Sequence, residues 1–86
     1  ADDQLKIRGQ RIELGEIEQQ LCLISSLDVV VHPISSEQNK ADVQLVAYLQ
    51  TTAPVDIEKL KKQLAKQLPA YMVPTHYVLV EKFPLS

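Results

Sequence analysis

The spacing of apolar and polar residues changes several times along this chain, and each change marks an element. Leu5 and Ile7 alternate with Lys6 and Arg8, the period of a half-buried strand. Gly9 follows, a residue that can take the positive φ a tight reversal needs. Ile12, Leu14, Ile17, Leu21 and Ile24 then move to helical spacing. The pattern predicts a two-stranded ribbon over residues 4–12 and a helix over 13–25. Cys22 and Leu23 fall at the flank of its apolar stripe, and Ser25-Ser26 end it. Glu13, Glu16 and Glu18 lie near its start, where the helix dipole favours acids.

The β-branched run Val29-Val30-Val31-His32 predicts a strand largely buried on both faces, which Pro33 stops or confines to an edge. Residues 35–42 are polar and turn-rich, a solvent loop. Val43 to Leu49 predicts the next strand, most simply hairpin-paired with the one before it. Asp56 is a candidate N-cap for a second helix. Ile57, Leu60, Leu64 and Leu68 share one face of that helix, and Lys59, Lys61, Lys62 and Lys66 decorate the rest. Pro69 ends it. Ala70 to Pro74 is an extended or turning segment, with Tyr71 and Met72 expected to plug the gap before a last strand, His76 to Val80. Phe83-Pro84-Leu85 runs out along the surface. The order implies an α+β fold: two main helices packed on a small sheet of about three strands, preceded by the N-terminal ribbon.

Eighty-six residues suffice for one small domain with one core. The net charge of −2 gives no reason to expect nucleic acid or an anionic membrane as partner. No apolar run approaches the ~20 residues of a membrane span. The single cysteine, Cys22, excludes an intrachain disulfide and a cysteine metal cluster, and fits a reducing, cytoplasmic setting. The opening Ala1-Asp2-Asp3 and the closing Phe83-Pro84-Leu85-Ser86 both read as cut ends, so the chain is expected to be a piece of a larger polypeptide.

Two stretches carry a family resemblance. Asp2-Asp3-Gln4-Leu5-Lys6-Ile7-Arg8-Gly9-Gln10-Arg11-Ile12-Glu13-Leu14-Gly15-Glu16-Ile17-Glu18 resembles the eighth core motif of adenylation domains in nonribosomal peptide synthetases, roughly G-R-x-D-x-Q-V-K-I-R-G-x-R-I-E-L-G-E-I-E. Leu68-Pro69-Ala70-Tyr71-Met72-Val73-Pro74 resembles the ninth, L-P-x-Y-M-[IV]-P. Two motifs in the right order form a specific signal, and the resemblance covers essentially the whole chain.

The resemblance implies that residues 1–86 are the C-terminal subdomain of an adenylation domain, with hinge and ribbon in 1–12 and an α+β body in 13–86. The parent would form an aminoacyl-AMP from an amino acid and ATP with Mg2+. It would then load the phosphopantetheine thiol of a peptidyl carrier protein. The large N-terminal adenylation lobe in the same chain would bind most of the ATP. Asp2 matches the acid about which the small lobe rotates, although the Gly-Arg that precedes it in the family is absent. Arg8, Gly9, Gln10 and Arg11 match the loop that swings in to line the phosphopantetheine tunnel, where a residue without Cβ lets the arm pass close. The family's catalytic lysine lies in a tenth motif expected beyond Ser86, and Lys82 is not that residue. The 86 residues alone are therefore expected to bind ATP negligibly and to catalyse nothing.

Plainer readings stand beside these. Lys6, Arg8 and Arg11 would serve equally as the solvated face of a ribbon, and a nucleic-acid role lacks aromatic stacking residues in the run. The three glutamates read as structural, and so do Cys22, His32 and His76, the two histidines at strand edges without metal-ligand spacing. The lysines of the second helix could face an acidic carrier protein, although ordinary solvation accounts for them. Two rival classes remain open: a freestanding ferredoxin-like binding module, and the same lobe from an aryl- or fatty-acid ligase.

Overall fold

The computed structural model describes residues 4–7, 9–35 and 43–83. Asp2, Arg8, the polar stretch 36–42 and the tail 84–86 lie outside the described residues. Two strands, β1 (Gln4–Ile7) and β2 (Gln10–Glu13), form an antiparallel ribbon, and α1 (Leu14–Ser25) begins where β2 ends. Then come β3 (Asp28–Ser35), β4 (Val43–Gln50), α2 (Ile57–Gln67), a 3-10 turn over Ala70–Met72, and β5 (His76–Val80).

The main sheet has the order β3-β4-β5. β3 and β4 are antiparallel, with Val31 opposite Ala47, so the expected hairpin pairing holds. β5 lies parallel to β4, with Ala47 opposite Tyr77, and α2 forms the crossover between them. β2 stays out of this sheet. A ferredoxin-like domain would need that first strand inside it, so this rival fold does not apply.

Register decides which side chains meet. Val29 and Val31 on β3 stand opposite Leu49 and Ala47 on β4, and all four are buried on the helix-covered face. Ile17 and Leu21 of α1 and Leu60 and Leu64 of α2 close the core from above, with Ile12, Leu68 and Met72 at its margins. Val30 is only half-buried, so β3 packs one face on the core and the expectation of burial on both faces is corrected. Among the described residues no helix covers the other face of the sheet. There the row His32, Val46, His76 runs across the three strands, followed by the row Val30, Tyr48, Val78.

Local chemistry accounts for the element ends. Ser26 adopts φ 62°, a left-handed C-cap, and its N–H donates to the Cys22 carbonyl at 2.8 Å. The Asp56 carboxylate accepts the Lys59 N–H at 3.2 Å, the expected N-cap. Pro33 does not stop β3, which runs on to Ser35. The Val31 N–H points away from β4 towards α1, and residues two apart along a strand share that direction. The missing N–H of Pro33 therefore falls on the free edge and costs no ladder bond.

Two side chains depart from their expected places. Leu23 lies on the solvent side of α1 at 69% exposure, not at the flank of the apolar stripe. Tyr71 is 46% exposed, so Met72 alone of the Tyr71-Met72 pair fills the gap beneath α2.

Candidate functional site

The β1–β2 turn is the candidate site. Ile7 and Gln10 are the last paired residues of the ribbon. Between them Gly9 lies in a turn with φ +80°. Left-handed backbone at that position suits glycine, because an L side chain there crowds its own carbonyl. A Cβ built on Gly9 meets no heavy atom within 4 Å. The demand for glycine thus comes from the backbone turn alone, and the exposed main chain is open to approach by another molecule.

The ribbon is joined to the body through Ile12, which is fully buried in the core. Arg11, its neighbour, is exposed. In the register Lys6 stands opposite Arg11 and Leu5 opposite Ile12. Two residues after this anchor, Leu14 starts α1. The turn is therefore a tip projecting from a fixed base. Of the four loop candidates, Gly9 is placed at this exposed turn, and Gln10 and Arg11 are placed in β2, Arg11 with its side chain exposed. Arg8 and the hinge candidate Asp2 are outside the described residues.

The remaining candidates sort into structural roles. Glu18 reaches from α1 to β3, where its Oε2 accepts the Val31 N–H at 2.8 Å. Cys22 is half-buried against the core. His76 opens β5, and its Nδ1 lies 2.9 Å from Thr75 Oγ1. His32 lies inside β3 rather than at its end, edge-on to Tyr48 with ring centroids 6.0 Å apart. The sheet brings the two histidines to either side of Val46, a closeness that their sequence separation conceals. Among the described residues no group of three or more histidine, cysteine or carboxylate side chains could hold a metal ion. No helix among them is long and apolar enough to cross a membrane.

Tyr77 was not singled out by its sequence. Its hydroxyl is buried with no hydrogen-bond partner among the described residues, and burial pushes its pKa from 10.0 up to about 12. The single signal for it was its alternation with His76 and Val78 along β5.

No protein-family model matches the chain. Individual relatives do. Surfactin synthase subunit 3 of Bacillus subtilis (strain 168) is 43% identical over 86 residues, covering 99% of this chain and 7% of that protein. Tyrocidine synthase 3 of Brevibacillus parabrevis is 40% identical over 86 residues, covering 100% of this chain and 1% of that protein. The crystal structure of a four-domain nonribosomal peptide synthetase bound to AMP and glycine superposes with a TM-score of 0.82 at 45% identity, over 100% of this chain and 6% of that one. The fold is that of the small lobe of an adenylate-forming enzyme. Over its whole length the chain corresponds to the C-terminal lobe of the adenylation domains of nonribosomal peptide synthetases. It spans only a few per cent of the length of the relatives it matches, between 1% and 7% in these two.

Proposed function

We infer that this chain is the mobile C-terminal lobe of an amino-acid-activating domain. The parent forms an aminoacyl-AMP and pyrophosphate from an amino acid and ATP with Mg2+. It then transfers the aminoacyl group to the phosphopantetheine thiol of a carrier protein. The observation that carries this reading is the superposition of the whole chain, at 45% identity, on a synthetase bound to AMP and glycine.

In this reading each described feature has a task. The Gly9 turn is the tip that enters the active site for thioester formation, where a bare, exposed backbone lets a narrow thiol-bearing arm pass. Arg11, exposed beside that tip, offers a positive charge to the phosphate of the arm. The ribbon base, held by Ile12 in the core, makes the tip move with the lobe as one body. Asp2 takes the hinge, which absorbs the backbone rotation between the two half-reactions. ATP and Mg2+ are held mainly by the large lobe in the same polypeptide, so the chain alone is inactive.

ATP–pyrophosphate exchange by the full-length parent against a panel of amino acids tests the reading. Exchange with one or a few amino acids is expected. Exchange only with aryl or fatty acids would transfer the lobe to another ligase branch, and none with any acid would overturn the adenylating assignment.

A further inference from the structure

The two edges of the main sheet are finished differently. β3, at one edge, turns the main chain of Val31 and Pro33 outward. Glu18 accepts the Val31 N–H, and Pro33 has none to offer. β5, at the other edge, has no such device. His76-Tyr77-Val78-Leu79-Val80 contains no proline and no lysine, arginine, aspartate or glutamate. Among the described residues no strand pairs with its outer side.

Register shows which groups are left open. Because the Val31 N–H faces away from β4, β3 and β4 exchange bonds through the pairs Val30–Tyr48 and His32–Val46. The alternate residues of β4 turn their main chain to β5, and the Thr51 N–H accordingly donates to the Val80 carbonyl at 2.8 Å. Val80, Val78 and His76 therefore face β4. Thr75 bends the chain into the strand, and its N–H donates to the Leu45 carbonyl at 3.1 Å. Tyr77 and Leu79 are left with their N–H and C=O on the free edge. Apolar surface is open beside them: Val78 is 40% exposed on the helix-free face, and Leu79 is 41% exposed on the other.

Donors and acceptors in a row, two residues apart, are met by an extended strand and not by a helix, whose main chain is bonded internally. We propose that β5 is a self-pairing edge: two copies of this chain join through antiparallel β5 strands about a twofold axis at Val78, merging two three-stranded sheets into one of six. In this register Tyr77 of each copy exchanges both main-chain bonds with Leu79 of the other, so every open group of the strand is used. Val78 meets Val78 of the second copy as the close, non-hydrogen-bonded pair, and the exposed Leu79 gains Tyr77 of the second copy as its neighbour. His76 falls opposite Val80 and Glu81 opposite Thr75, so no like charges face each other across the axis. Moving the axis to Tyr77 or Leu79 would pair an open residue with one outside the strand. The second copy is the partner because the edge is its own complement. A five-residue edge is small, so the association is weak and set by concentration. The proposal does not rest on adenylation: it concerns a different part of the chain from the Gly9 turn, and its test reads association alone.

Sedimentation equilibrium of the 86-residue chain from about 20 µM to 2 mM reads the mass, and NMR on a mixture of isotope-labelled and unlabelled chain reads the contact. A monomer–dimer equilibrium half-associated below about 1 mM is expected. The isotope-filtered spectrum should show Val78 Hα against Val78 Hα of the second copy. Amide exchange at Tyr77 and Leu79 should slow as concentration rises, while that at Val78, bonded to β4, should not. Val78→Lys and Val78→Glu each set like charges opposite one another, and each should weaken association about fivefold or more. An equal mixture of the two variants should restore the dimer, because the charges are then opposite. Both changes fall at an exposed position and should keep the amide spectrum of a folded chain; where a variant folds poorly, the filtered contact in the unsubstituted chain decides alone. A monomer over the whole range, a dimer whose filtered contacts lie away from β5 or in another register, or a Val78→Lys chain that associates as the unsubstituted one does would each overturn the proposal.

Discussion

The carboxylate of Glu18, on α1, accepts the backbone N–H of Val31, on β3, at 2.8 Å. Thirteen residues separate the two. Among the described residues β3 is an edge of the sheet, and its outward N–H groups need partners that no neighbouring strand there supplies. Glu18 satisfies one of them and fixes the helix to the sheet at the same time. Replacing it with alanine strands a partly buried donor, a loss of about 1–3 kcal/mol. Glu18→Gln keeps an acceptor oxygen and should cost less, about 1 kcal/mol. Urea unfolding measures both, and faster amide exchange at Val31 in the alanine variant alone would locate the effect. Equal stability of the alanine variant and the parent chain would refute the tether.

Gly9→Ala separates backbone strain from crowding. The site has open space and φ +80°, so the whole cost comes from left-handed backbone, about 1–2 kcal/mol. Asparagine, which tolerates that conformation better, should cost less than alanine. Thermal unfolding ranks the two. In the full-length parent the alanine variant should lower carrier-protein loading by about tenfold or more while pyrophosphate exchange changes little, the split expected of a group used only in the second step.

Tyr77 sets an alkaline limit. Its folded pKa, about 12, lies above its ordinary value of 10.0 because burial penalises the phenolate. The folded chain therefore holds this proton more tightly than the unfolded chain does. The associated stability is complete below pH 10 and is lost as pH rises towards 12. Melting temperatures from pH 8 to 11.5 should fall less steeply for Tyr77→Phe than for the parent chain. Because the hydroxyl has no partner among the described residues, the variant should be neutral or up to about 1 kcal/mol more stable at pH 7. Absorbance titration should show one of the three tyrosines ionising later than the others.

Asp56→Ala removes the carboxylate that accepts the Lys59 N–H, at an expected cost of about 0.5–2 kcal/mol. Asp56→Ser should recover most of it, since a serine hydroxyl can accept the same bond. Denaturant midpoints for the pair decide this. A serine variant as unstable as alanine would show that the charge, and not the cap, is what α2 uses.

The sequence by itself determined the elements and the family. Periods of two and 3.6, a glycine in a tight turn, an aspartate before a helix and prolines after it act through the backbone of a few neighbouring residues, so they can be read without the fold. Asp56 as a cap, Ser25-Ser26 as a helix end and Gly9 as the turn residue were legible for that reason. The β3–β4 hairpin was legible because neighbours in sequence pair most easily. The tertiary structure decided what depends on faces meeting across long loops. It set β5 parallel to β4, turned Leu23 and Tyr71 outward, and carried β3 through Pro33 by leaving that residue on a free edge. It also gave Glu18 its acceptor role and Tyr77 its buried hydroxyl, and it left β5 at an edge of the sheet. None of these has a local signature, because each is a property of register and of packing between segments distant in the chain.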